Sequence, residues 1–71
     1  MKNFEGMKWG ELTTNEKEML LKNANCVDAT GNDTDEGECI VDLTEEYSVG
    51  GNIIDDEIII DDNAVIYYPA N

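Results

Sequence analysis

Residues 53 to 68, IIDDEIIIDDNAVIYY, constrain the fold more than any other part of this chain. β-Branched and aromatic side chains favour a pleated, half-buried surface, and runs of them separated by turn formers are the signature of a hairpin. Ile58-Ile59-Ile60 and Ala64 to Tyr68 are therefore predicted as two strands joined by the loop Asp61-Asp62-Asn63. Pairing Ile60 with Ala64 sets Ile58 opposite Ile66 and Asp56 opposite Tyr68. Because side chains alternate along a strand, one face then carries Ile58, Ile60, Ala64 and Ile66 and is expected to be core. The other carries Asp55, Glu57, Ile59, Asp61, Val65 and Tyr67, an acidic face with an apolar strip. IIDDEI from Ile53 is echoed by IIDDNA from Ile59, so Asp55-Asp56 can also form a turn. One long strand from Asn52 to Ile60 is the expectation, with two short strands as the alternative.

The remainder of the chain supplies what such a sheet packs against. Phe4, Met7 and Trp9 lie between charged residues and two glycines, Gly6 and Gly10, which reads as an extended lead-in with aromatics over the core. Thr13-Thr14-Asn15-Glu16 fits a capping box that starts a helix running to about Lys22 or Asn23, with Met19 and Leu20 inward. Cys26 to Ala29 and Glu38 to Thr44 read as strands, the second with Cys39, Val41 and Leu43 on one face. TGNDTDEGE between them is turn chemistry, a fluid acidic hairpin tip. Tyr47 to Val49 reads as a short strand and Gly50-Gly51 as a tight turn. The expected fold is α+β, one short helix packed on an antiparallel sheet of four or five strands. It forms a single small domain: lead-in 1–12, helix 13–24 and acidic sheet 25–71.

Charge bounds the function. The 71 residues hold 17 acidic side chains against 4 lysines, with no histidine. All four lysines lie within residues 1–22, where four glutamates balance them, so the 13 acidic residues after Asn23 face no basic residue at all. Such a balance opposes nucleic acid and anionic membrane surfaces as direct partners and favours a basic protein. The N-terminus lacks the apolar core of a signal peptide, and no apolar run is long enough to span a bilayer. A cytoplasmic location is expected, with Cys26 and Cys39 as reduced thiols, although the two could face each other across a hairpin.

Chemistry-bearing constellations are scarce. Asp55/Asp56 and Asp61/Asp62 are sequence neighbours that point to opposite faces of a strand, so neither makes an acid-base dyad. Ser48 has no histidine to activate it, and no phosphate-binding glycine loop is present. With two cysteines and no histidine a zinc site is not expected. The acidic loop invites calcium, but placing Gly37 at the sixth position of an EF-hand loop puts Asn32 first and Leu43 twelfth, where a bidentate glutamate belongs. The expectation is a protein that is not an enzyme and takes no cofactor or metal.

Negative charge held on a rigid frame is what remains. Same-face positions on a strand recur about every 6.6–6.8 Å, and a nucleic-acid strand likewise presents single negative charges at intervals of a few ångströms. In size, charge and lack of catalytic residues the whole chain resembles the small acidic inhibitors of bacteriophages and other mobile elements, including anti-CRISPR, uracil-DNA glycosylase inhibitor and anti-restriction proteins. That resemblance implies competition for the groove of a basic nucleic-acid-binding protein, for example a CRISPR effector or another defence nuclease. From the residues themselves, Asp33, Asp35, Glu36, Glu38, Asp55, Glu57, Asp61 and Asp62 would meet its lysines and arginines, and Ile59, Val65 and Tyr67 would add apolar contact. A monomer or weak homodimer is expected, because matching acidic faces repel. The alternatives are a small structural or assembly protein with a solubilising surface, and a divalent-cation-binding module.

Overall fold

Thr13 ends the lead-in and starts the helix. A computed structural model describes residues 3–68; the outermost parts of the expected lead-in and sheet, residues 1–2 and 69–71, lie outside the described residues. The Glu16 backbone N–H donates to Thr13 Oγ1 (3.1 Å) and the Thr13 N–H donates to Glu16 Oε1 (2.8 Å). This reciprocal cap opens α1, Thr14–Leu21. At the far end the Thr44 hydroxyl reaches the carbonyls of Met19 (3.2 Å) and Leu20 (3.0 Å), in the last turn, where carbonyls run out of helical donors. Leu20 is fully buried, whereas Met19, expected inward, is 44 % exposed. The inward stripe takes Leu20 and the partly buried Leu21, and Met19, about 100° to the other side of Leu20, falls outside it.

The sheet is antiparallel and four-stranded, in the order β1 (Asn25–Val27), β2 (Gly37–Asp42), β3 (Ser48–Ile54), β4 (Glu57–Ile59). The fold is thus α+β, one helix with an antiparallel sheet. Cys26 lies opposite Val41, Val41 opposite Val49, and Cys39 opposite Gly51. These residues share the face that buries Cys26, Cys39, Val41 and Val49 against Phe4, Trp9, Leu12, Leu20, Leu43, Tyr47 and Ile66. Phe4 meets Tyr47 edge to face at 5.6 Å between ring centroids, an arrangement that suits the aromatic quadrupole.

Three expectations about strands are corrected. The hairpin partner of β4 is β3, not the segment from Ala64 to Tyr68: Ile53 pairs with Ile58 and Ile54 with Glu57. The turn between them is Asp55-Asp56, so residues 52–60 form two strand segments rather than one. Both aspartates adopt left-handed backbone (φ 52° and 65°), as a two-residue type I′ loop requires, and aspartate tolerates that conformation better than it tolerates a strand interior. Asp61 to Ala64 also turns, with the Ala64 N–H donating to the Asp61 carbonyl (3.0 Å) and the Asn63 N–H to Asp61 Oδ1 (2.8 Å). Beyond that turn, residues 64–66 pair with the lead-in: Gly6 N–H to Ile66 O (2.8 Å), Ile66 N–H to Met7 O (2.9 Å) and Trp9 N–H to Ala64 O (2.8 Å). Ile66 is therefore core, with Ile60 and Ala64 packed against it, but Ile58 is partly exposed.

The third correction is Gly50-Gly51, which lies inside β3 rather than in a turn. The connection between β2 and β3 comes earlier, through Thr44–Glu46, and the Leu43 N–H donates to the Tyr47 carbonyl across it (2.6 Å). A Cβ on Gly51 would lie 2.9 Å from Val41 Cγ2 and 3.2 Å from the Ile59 carbonyl, whereas a Cβ on Gly50 would meet nothing within 4 Å. Gly51→Ala is accordingly expected to cost about 1–3 kcal/mol through overpacking. Gly50→Ala is expected to gain about 0.5–1 kcal/mol by removing glycine's backbone entropy. Urea unfolding of the two variants beside the parent checks both signs. A second stabilising change is expected at the β3–β4 turn. Asp56→Gly relieves a left-handed residue at a position where type I′ loops favour glycine, and should raise the unfolding free energy by about 0.5–1 kcal/mol.

The acidic loop between β1 and β2 is crossed by hydrogen bonds centred on Asp28. Asp28 Oδ1 accepts from the Thr30 hydroxyl (2.6 Å) and from the backbone N–H groups of Thr30 (2.9 Å) and Asn32 (3.1 Å). These bonds hold the Asp28 carboxyl below its usual range, the Thr30 hydroxyl contributing most. Further along, the Thr34 N–H donates to the Cys26 carbonyl (3.1 Å), so the loop returns alongside β1.

Candidate functional surface

All eleven residues singled out from the sequence as partner-binding are exposed: Asp33, Asp35, Glu36, Glu38, Asp55, Glu57, Ile59, Asp61, Asp62, Val65 and Tyr67. The topology gathers them unevenly. The β1–β2 loop, with Asp33, Asp35 and Glu36, and the β3–β4 turn, with Asp55, leave the sheet at the same end. There Gly37 pairs with Ile53 and Ile53 with Ile58, which brings Glu38 and Glu57 into the same region. Asp56, exposed beside Asp55 at the tip, belongs to this group although its sequence context gave it no predicted contact.

The other residues sit apart. The expected straight row Asp55, Glu57, Asp61 is interrupted, because Asp55 belongs to the turn and only Glu57 and Ile59 lie in β4. Asp62 rests against the N-terminal part, its carbonyl accepting from the Gly10 N–H (2.9 Å). Val65 bridges to Lys8 and Tyr67 to Ser48. One of the four lysines therefore stands beside the Val65 end of the surface.

A groove of about 490 Å³ lies along β2, β3 and β4. It is lined by Glu38, Cys39, Gly50, Gly51, Asn52, Ile54, Ile59 and Asp61. Asn52 lies opposite Glu38 on β2 and opposite Ile59 on β4, so a carboxylate, an amide and an isoleucine stand abreast across three strands. Three of the sequence-derived residues, Glu38, Ile59 and Asp61, meet here. Cys39, Gly50, Gly51, Asn52 and Ile54 carry no site prediction from the sequence. A signal existed in the Gly-Gly pair, because glycine inside a strand pattern marks close backbone approach as readily as it marks a turn.

Cys26 and Cys39 are free thiols buried on the core face. Burial first, then the neighbouring Cys39 thiol and the charge of Asp42, push the Cys26 thiol up from 9.0 to about 11. It is therefore protonated at neutral pH and a poor nucleophile. A folded-state value above the unfolded one means that this group's contribution to stability is complete below pH 9 and is lost as pH rises from 9 towards 11. Denaturant melts across that range should show a steeper alkaline loss for the parent than for Cys26→Ala.

Among the described residues no three histidine, cysteine, aspartate or glutamate side chains are arranged to hold a metal ion. Among them, too, no helix is long and apolar enough to cross a membrane. In comparisons with known proteins, no family model matches the chain, and no curated protein or solved structure is similar to it.

Proposed function

We propose that this chain is an inhibitor of a basic nucleic-acid-binding protein, acting by occupying the groove that holds the nucleic acid, as an anti-CRISPR or related anti-defence protein of a phage. The observation that carries this is the disposition of charge. Of the 13 acidic residues after Asn23, all except the half-buried Asp28 and Asp42 are exposed. Five of them, Glu45, Glu46, Asp55, Asp56 and Glu57, sit in or beside tight strand connections, four with left-handed backbone. Carboxylates fixed on short turns lose less conformational freedom on binding than carboxylates on a flexible tail, which is what a phosphate mimic needs. Exposed Ile54 and Ile59, on the two strands that flank the Asp55-Asp56 turn, offer apolar contact that raises affinity without charge. Affinity capture from host lysate at low and high salt tests the proposal: a nucleic-acid-binding protein should be retained at low salt and released at high salt, and capture of acidic or neutral proteins alone would count against it.

A small assembly protein is the alternative, favoured by one feature. β4 is an edge strand with Ile58 and Ile59 exposed, and such edges invite pairing with another chain. A tight dimer in sedimentation at physiological salt, dissociated by Tyr67→Lys, would support that function over inhibition.

A further inference from the structure

We propose that the groove over Gly50 is a slot for one long basic side chain, arginine or lysine, of the partner protein; this rests on the chain being the ligand of a basic protein. Glycine in a strand interior weakens the strand and needs a reason. Gly51 has one in its contact with Val41. Gly50 has none of the usual ones: its φ lies outside the left-handed region, and a Cβ there would project into open space. Its effect is to leave bare backbone as the floor of the groove.

The walls match a cation on a hydrocarbon stem. Ile54 and Ile59 supply apolar surface for the methylenes, and Glu38 and Asp61 supply carboxylates for the charged head, with the Asn52 amide next to Glu38 across the sheet. Long basic side chains bury their stems in this way while their heads form charge-assisted hydrogen bonds. An anion would meet the carboxylates, and a purely apolar group would strip water from them without replacing it. A second copy of the chain is disfavoured as occupant, since each carries a net charge of −13 and its lysines are confined to residues 1–22.

The test uses the whole 71-residue chain, ¹⁵N-labelled, and a capped Gly-Arg-Gly peptide, with the citrulline peptide as its uncharged isostere. The arginine peptide should give saturable amide shifts centred on Gly50, Gly51, Asn52 and Ile59, and the citrulline peptide should bind at least tenfold more weakly. Gly50→Val, which puts a branched side chain where the floor is bare backbone, should weaken the arginine peptide at least tenfold while resonances outside the groove stay in place. Glu38→Gln with Asp61→Asn should do the same with the floor unaltered. Shifts spread equally over the Asp33 to Glu36 loop and unchanged by Gly50→Val, or no saturable binding, would overturn the slot. Failure of groove competition on a nucleic-acid-loaded target would count against mimicry and leave the peptide result standing. Loss of the peptide result would leave that competition untouched.

Discussion

Ile66→Ala should lower the unfolding free energy by about 2–5 kcal/mol, while Val65→Ala, one residue away, should change it by no more than about 0.5 kcal/mol. Ile66 is fully buried and packs with Phe4, Trp9 and Tyr47 in the core, whereas Val65 is 49 % exposed. Truncating a buried isoleucine costs about 2–5 kcal/mol, part of it for the cavity left behind. A domain of this length holds in total only about 4–10 kcal/mol. Alanine keeps the backbone groups that pair residue 66 with Gly6 and Met7, so the loss reports the buried side chain alone. Urea unfolding followed by tryptophan fluorescence reads this directly, because Trp9 is buried in the same cluster. Equal effects at residues 65 and 66 would mean that the alternation of this segment is wrong.

The second large effect is expected in binding. Asp55→Asn with Asp61→Asn should weaken target binding and flatten its salt dependence, whereas Glu11→Gln with Glu18→Gln should do little. Both pairs remove the same charge, and only the first removes it from the surface proposed to meet the target. The folded state should survive either pair. Asparagine tolerates the left-handed backbone of residue 55, and at residue 61 it keeps the oxygen that accepts from Asn63. Each lost contact is worth about 1–3 kcal/mol if the carboxylate is buried against arginine in the complex, and about 0–1 kcal/mol on a wet rim. Isothermal titration at two salt concentrations separates these cases, and equal behaviour of the two pairs would rule out a site-specific role for the acidic face.

Features set by near neighbours in the chain were the most legible in the sequence. The capping box at Thr13 and the alternation of Cys39, Val41 and Leu43 depend on residues close in sequence, and both appear in the structure as expected. Pairing between distant segments was not legible in the same way. The lead-in FEGMKWG has no strand pattern, yet its backbone N–H and carbonyl groups need partners and find them in residues 64–66. Such pairing uses the main chain and leaves almost no trace in side-chain order. Asp55-Asp56 and Gly50-Gly51 show the same limit from the other side. Each is a turn former, and which one turns was decided by Val41 and Ile59 closing over Gly51, contacts that only the assembled sheet provides. The groove is not legible in the sequence for that reason, because Gly50-Gly51 reads there as a turn.

Groove competition itself is tested most directly by binding to the captured target in two states, free and loaded with its own nucleic acid, at one salt concentration. Mimicry predicts that the free target binds tightly, that the loaded target binds at least a hundredfold more weakly, and that added nucleic acid displaces the inhibitor in proportion to its concentration. Equal binding to the free and loaded target would contradict it.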